Sequence, residues 1–157
     1  MSVLLLPFMV VVVIPIWLHN SFTGLTSFWG NNSFIVWSFI IAGTGTMIFG
    51  LLLFIWCIDL FVRVGKGTLA PWDPTRNLVL AGPYRYVRNP MIGAVALMLF
   101  GQALIWGSLI IGLWMIVFVG INHLYFIYME EPGLERRFGD NYRDYKARVP
   151  RWIPEWK

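Results

Sequence analysis

From Met91 to Met129 the chain carries no Asp, Glu, Lys or Arg. At about 1.5 Å per residue such a stretch as a helix runs to nearly twice the ~30 Å hydrocarbon core of a bilayer, so it suits two crossings rather than one. Gly107-Ser108 near its middle is the natural turn, giving a helical hairpin of spans 91–106 and 109–129. Two further uncharged stretches precede it. Residues 34–58 form a full span with room for tilt, and 3–19 form a shorter one containing Pro7 and Pro15, tolerated in membrane helices. No basic segment precedes the first stretch and no small-x-small pattern follows it, so it reads as a retained helix rather than a signal peptide. The expected fold is all-α: a polytopic membrane protein of four transmembrane helices with a short helical cytoplasmic C-terminal tail, residues 1–157 making one domain. Hydrophobic residues at 58% and charged ones at 13% exclude an ordinary soluble domain and low-complexity disorder alike.

Charge placement sets the expected orientation. Residues 19–33 and the 107–108 turn hold no Lys or Arg, whereas the loop 59–90 holds Arg63, Lys66, Arg76, Arg85 and Arg88. The positive-inside rule then puts that loop, the tail 130–157 and both termini in the cytoplasm. Twelve basic against eight acidic residues are too scattered for a nucleic-acid footprint. One cysteine, Cys57, and two distant histidines leave little with which to bind a metal, and none is expected. Ala42, Thr46 and Gly50, and Gly112 and Gly120, are small residues at helical spacing and predict close helix contacts. Gly43-Thr44-Gly45 lies inside an apolar helix with no strand before it and is not a nucleotide loop.

The polar residues beside the spans need a reason. Asn89 is a good helix cap and Pro90 a good first helical residue, so a helix starting there presents free N–H groups beside Arg88, a place for a carboxylate or phosphate. Every membrane helix needs a cap, so the cap alone assigns no ligand. At the other end of the hairpin two carboxylates, Glu130 and Glu131, meet the membrane exit and must be wet, paired or bound to a cation. On an α-helix Glu130 shares a face with His123 and Phe126 while Glu131 points about 100° away, and Glu131 is expected in water. His123 alone reads as a helix-helix hydrogen bonder. In the tail, Gly139 ends one helix and Asp140 can cap a second, with Tyr142, Tyr145 and Val149 on one face and an Asp144–Arg148 pair. Trp152 and Trp156 are placed as interface anchors.

Gly82-Pro83-Tyr84-Arg85-Tyr86-Val87-Arg88-Asn89-Pro90, followed in order by Glu130-Glu131-Pro132-Gly133-Leu134, Phe138-Gly139, Tyr142, Tyr145 and Val149-Pro150, resembles the isoprenylcysteine carboxyl methyltransferase and phospholipid methyltransferase superfamily. The likeness covers about Arg76 to Pro154. It implies a membrane methyltransferase using S-adenosyl-L-methionine, with the cofactor held by Arg76, Asn77, Leu78, Val79, Tyr84, Arg88, Asn89, Pro90, Met91, Ile92 and Glu130. His123 and Phe126 would lie toward the substrate. Methyl transfer is an in-line displacement that needs alignment and exclusion of water, so no catalytic side chain is assigned. The expected partners are membrane lipid and a lipophilic methyl acceptor, with no nucleic acid.

Two departures bear on that acceptor. The family's Arg-His-Pro-x-Tyr reads Arg88-Asn89-Pro90-Met91-Ile92 here, so a titratable imidazole and a phenol are replaced. Phe126 stands where eukaryotic carboxyl methyltransferases carry a basic residue near the substrate. A prenylcysteine-like carboxylate, a lipid amine and another small lipophilic group all stay open as acceptors. A noncatalytic or small-molecule-transporting four-helix membrane protein is the alternative, although no expected span carries the deep acidic residue of a proton-coupled carrier.

Overall fold

The structure, a computed structural model, describes residues 6–22, 33–65 and 77–154, and all regular structure among them is helical. Helix α1 spans Leu6–Ser21 and includes a π-helical turn at Met9–Val13. Helix α2 spans Ser33–Leu60 and runs on through a second π turn, Phe61–Gly65. A 3-10 turn at Gly82–Arg85 precedes α3, Pro90–Trp106, and α4 follows at Leu109–Tyr125. A third π turn, Phe126–Glu130, leads into α5, Glu131–Phe138, and then α6, Asp140–Arg148.

Two helical runs, Ser33–Gly65 and Leu109–Phe138, are long and apolar enough to cross a bilayer, while Leu6–Ser21 and Pro90–Trp106 are shorter apolar helices. The face α2 leaves exposed carries Phe34, Trp37, Ile41, Phe49, Leu52 and Ile55. A helix apolar on every side, and exposed on much of it, is at home in lipid rather than in water. The hairpin turn falls at Gly107-Ser108, as its sequence predicts. Gly107 takes φ +58, and the Ser108 N–H reaches back to the Ala103 carbonyl at 3.0 Å, closing the end of α3 as a glycine C-cap does.

The chain divides into two compact units, Met1–Leu52 with Ala94–Val119, and Leu53–Gly93 with Gly120–Lys157. In the first, α2 and α3 cross where side chains vanish. A Cβ on Gly43 would lie 2.7 Å from the Gly101 carbonyl oxygen, and one on Gly50 2.8 Å from that of Ala94. The contact stripe on α2 is therefore Gly43 and Gly50. Of the expected stripe Gly50 makes such an approach and Thr46 is half-buried; Ala42 is exposed, and a Cβ on Gly112 or Gly120 would meet nothing within 4 Å. Spacing alone finds small residues but not which of two adjacent ones faces the neighbour.

Pro15 explains a second contact in this unit. Proline has no N–H, and its ring crowds the carbonyl four residues back, so the helix widens into a π turn and the Val10 and Val11 carbonyls lose their donor. Gln102 Nε2 donates to Val11 O at 2.8 Å, and Trp114 Nε1 to Val10 O at 3.2 Å. Neighbouring helices thus restore the hydrogen bonds that an apolar surround cannot supply.

Candidate functional site

The polar residues that the sequence singles out gather in the second unit. Its floor is the end of α2, where Cys57 is wholly buried against Val79 and Tyr84, with Leu60, Phe61 and Met91 packed around them. Asn77 ties the incoming chain to that helix end: its N–H reaches Gly65 O at 3.2 Å and its side-chain amide donates to Val64 O at 3.1 Å. Gly82 then turns the backbone at φ +57, hard against α2, where a Cβ would sit 2.8 Å from Leu60 Cδ1. Only glycine combines that dihedral with that approach. The turn delivers Tyr84 into the interior, its ring 5.6 Å from that of Phe61.

Tyr84 is 7% exposed, and among the described residues its hydroxyl meets no oxygen or nitrogen partner, only the Cys57 thiol beside it. Burial raises its pKa well above the usual phenol value, and Cys57 and Glu130 raise it further. The phenol therefore has no oxygen or nitrogen partner among the described residues, and only the weakly accepting Cys57 sulfur lies beside it. Asn89 is in the same state: it is 8% exposed with Nδ2 unpartnered, directly before Pro90 opens α3. Buried polar atoms without partners are rare in native proteins and each calls for an explanation. Val79 and Pro90 are buried, Leu78, Met91 and Ile92 are half-buried, and Asn77 is exposed. Arg76 lies outside the described residues, as does Trp156.

The acidic pair reverses the expectation drawn from α-helical geometry. Glu131 is 3% exposed, and Glu130 is the exposed one. The cause is the π turn Phe126–Glu130, in which the Glu131 N–H bonds to Phe126 O, five residues back. The extra residue in that turn brings Glu131, not Glu130, above the buried Phe126. Pro132 stands two residues past this turn just as Pro15 does past the first, and its ring again needs room at the preceding carbonyls.

Three cations meet Glu131. Arg88 Nη1 lies 2.8 Å and Arg151 Nη2 2.7 Å from Oε1, and Lys146 Nζ lies 2.8 Å from Oε2. Lys146 also reaches Glu135 at 2.9 Å. Burial by itself raises the Glu131 carboxyl, but hydrogen bonds from Lys146 and Arg151 and the charges of Arg88 and Arg151 outweigh it, so the group is held below its ordinary 4.5. Arg88 spends one guanidinium nitrogen on this cluster and keeps Nε buried without a partner. Arg151 and Lys146 carry no sequence mark of their own, because Glu131, the acid they balance, is expected in water from helical geometry alone.

The tail is fastened at three further places. The Arg88 N–H donates to Pro150 O at 2.9 Å and the Asn89 N–H to Arg151 O at 3.3 Å. Tyr145 Oη donates to Tyr84 O at 2.7 Å, a buried bond. Trp152 Nε1 donates to His123 Nδ1 at 2.9 Å, so that imidazole is an acceptor at Nδ1. Trp152 is thus a half-buried, bonded part of the unit. Phe126 is 4% exposed, with the Arg151 guanidinium 5.9 Å above its ring. Tyr142 and Tyr145 are buried as expected, and Arg148 Nη2 stands 4.0 Å from Asp144 Oδ2. Asp140 is no cap: Gly139, at φ +53, precedes α6, and Asp140 pairs with Arg143 at 3.0 Å in its first turn.

Glu130 stays outside the Glu131 cluster, one residue beyond the apolar stretch that ends at Met129. Its carboxyl is pushed up to about 7, by desolvation first and then by the charge of Glu131. The arrangement offers an anionic group at the rim, buried donors of Tyr84, Arg88, Asn89 and Tyr142 that meet no oxygen or nitrogen partner among the described residues, and a tail cross-linked over both sequence blocks. No curated protein matches the chain. The model of the phospholipid methyltransferase family matches residues 3–141, taking in the Tyr84–Asn89 turn and the acidic pair, and the chain belongs to that family, within the superfamily that also holds the isoprenylcysteine carboxyl methyltransferases.

Proposed function

We propose that the protein transfers a methyl group from S-adenosyl-L-methionine to a lipophilic acceptor at the membrane. The family implies a methyltransferase of lipid-like substrates. What supports the cofactor is the state of the site: two buried donors, Tyr84 Oη and Asn89 Nδ2, have no oxygen or nitrogen partner among the described residues, and Glu130 bears on Tyr84 electrostatically. That set fits an amino acid bearing a sulfonium. Asn89, Tyr84 and the first N–H groups of α3 can hold its carboxylate, and Glu130 its ammonium or sulfonium charge. The chemistry it supplies when bound is an electrophilic methyl group open to in-line displacement.

The remaining assignments follow the same division. Val79, Leu78, Pro90, Met91 and Ile92 give apolar walls that exclude water, and Arg76 and Asn77 belong to the segment entering the site. Arg88 acts from the rear, fixing the position of Asn89 through the Glu131 cluster. His123 and Phe126 are engaged by Trp152 and Arg151, so on this reading they shape the acceptor's side by holding the tail. The protein crosses the membrane four times with the 59–90 loop and both termini in the cytoplasm. A prenylcysteine-like carboxylate is the least favoured acceptor, because Arg151, the cation over the Phe126 ring, is bound to Glu131. A lipid amine or another small lipophilic nucleophile needs no such cation.

Calorimetric titration of the detergent-solubilised chain with S-adenosylmethionine and its demethylated product tests the cofactor. Binding that Glu130→Gln weakens is expected. No binding by the wild type would overturn the enzyme reading, and binding indifferent to Glu130→Gln would overturn the role of Glu130. Transfer of labelled methyl to total lipid extract then identifies the acceptor class.

A further inference from the structure

Asn89 carries a buried, unpartnered amide directly before α3, and the N–H groups at the start of a helix find no acceptor within it. The tail supplies the acceptors instead. Arg88 donates its N–H to Pro150 O at 2.9 Å, and Asn89 its N–H to Arg151 O at 3.3 Å. Those carbonyls are free to serve because α6 ends at Arg148, Val149 is extended, and no helix follows it among the described residues. Asn89 is thus placed by backbone bonds to a stretch with no regular structure of its own, and whatever holds that stretch also holds Asn89.

Two side chains flank the Arg151 carbonyl. The Arg151 guanidinium lies 2.7 Å from Glu131, but that carboxylate is also served by Arg88 and Lys146, and a long flexible stem lets the backbone shift while the ion pair persists. Trp152 is the stiffer tether. The Arg151 carbonyl belongs to the planar peptide unit it shares with the nitrogen and Cα of Trp152, so fixing Trp152 fixes the direction of that oxygen. The half-buried indole turns about only two side-chain bonds, and its Nε1 donates to His123 Nδ1 at 2.9 Å, with the ring centroids 6.0 Å apart. His123 stands on α4, one turn before the buried Phe126. An indole N–H can only donate, so His123 Nδ1 keeps its lone pair and the ring proton sits on Nε2. One neutral contact therefore ties a regular helix to the tail.

We propose, resting on the assignment of Asn89 to the cofactor, that His123 and Trp152 are positioning residues of that site: their hydrogen bond sets the tail backbone, and the tail backbone sets Asn89. Neither side chain needs to touch the cofactor. Without the bond the Arg151 oxygen loses its fixed direction, the Asn89 N–H opens to exchange with water, and cofactor affinity falls. The Glu131 cluster and the helices persist, because none of their own bonds has been removed.

The test takes two readouts on the full chain in detergent. Hydrogen–deuterium exchange of the unliganded protein reports the link itself. Trp152→Phe removes the indole N–H and keeps a ring, His123→Leu removes the acceptor, and both should speed exchange of the Arg88 and Asn89 amides; His123→Gln, whose amide oxygen can accept, should restore protection. Calorimetry then reads S-adenosylmethionine affinity, expected to fall about fivefold in Trp152→Phe and in His123→Leu and no further in the double variant, the scale of one neutral hydrogen bond. Trp37→Phe makes the same change at an exposed site on α2 and should leave both readouts unmoved. Unchanged exchange at Arg88 and Asn89 in Trp152→Phe would overturn the link, whether or not the cofactor binds. Faster exchange there with undiminished affinity would overturn its role in the site, and equally faster exchange throughout α2 and α4 would reduce it to general destabilisation and overturn it too. No binding by the wild type would instead overturn the cofactor, with the exchange readout still deciding the link.

Discussion

Replacing Glu130 and Glu131 by Gln, one at a time, separates two adjacent carboxylates whose tasks the π turn has made different. Glu131 is 3% exposed and balances Arg88, which is itself 9% exposed, with Arg151 and Lys146 close by. Removing its charge strands a buried guanidinium, and breaking a buried pair from one side costs about 3–5 kcal/mol. The amide of Gln keeps the volume and can still accept one or two of the hydrogen bonds, so Glu131→Gln belongs near ~3 kcal/mol and Glu131→Ala near the upper end. Lys146 contributes least to the loss, since it is more than a third exposed and keeps Glu135. Glu130→Gln removes no ion pair and belongs within about 0.5 kcal/mol of the wild type. Thermal unfolding in one detergent, followed by circular dichroism, gives the ranking, and S-adenosylmethionine titration below the unfolding range gives the opposite one, with binding lost in Glu130→Gln. Equal destabilisation by the two Gln variants would refute the reasoning, because it would mean that the helix exit does not turn Glu131 inward.

Other outcomes follow from the same geometry. Glu131 has a lowered folded-state pKa, so its contribution to stability is complete above the unfolded value of about 4.5 and is lost as pH falls through the lower folded one; acid titration of wild type against Glu131→Gln should converge only below that value. Glu130 has the opposite sign: with its carboxyl pushed up to about 7, cofactor affinity should climb as pH rises through 7, and Glu130→Gln should flatten that climb in pH-resolved calorimetry. Gly101→Ala would place a methyl 2.6 Å from the Gly43 carbonyl oxygen and should cost about 1–3 kcal/mol in thermal unfolding, whereas Gly112→Ala, with open space around it, should cost nothing measurable. Gln102→Leu leaves the Val11 carbonyl without a donor and should cost about 1–3 kcal/mol; in a Pro15→Ala background, where a backbone N–H returns, most of that cost should disappear from the double-mutant cycle.

The uncharged stretches and the glycine between two of them were enough to place the hairpin, because a long run without charge has few ways to exist and a residue at φ +58 has few candidates. The helix start at Pro90, the buried faces of Tyr142 and Tyr145, and the long apolar run of α2 were legible for the same reason: each depends on local chemistry or helical period. Three things were not. The choice of Gly43 over Ala42 as the contact depends on how α3 lies across α2. The partners of Glu131, His123 and the Val10 and Val11 carbonyls come from residues up to 104 positions away, and nothing in a single chain's order announces them. The inward turn of Glu131 rests on one added residue in a helical turn. A shift of that size leaves the apolar pattern intact while rotating every later side chain, so the sequence could name the acidic pair but only the folded chain could say which of the two faces the protein.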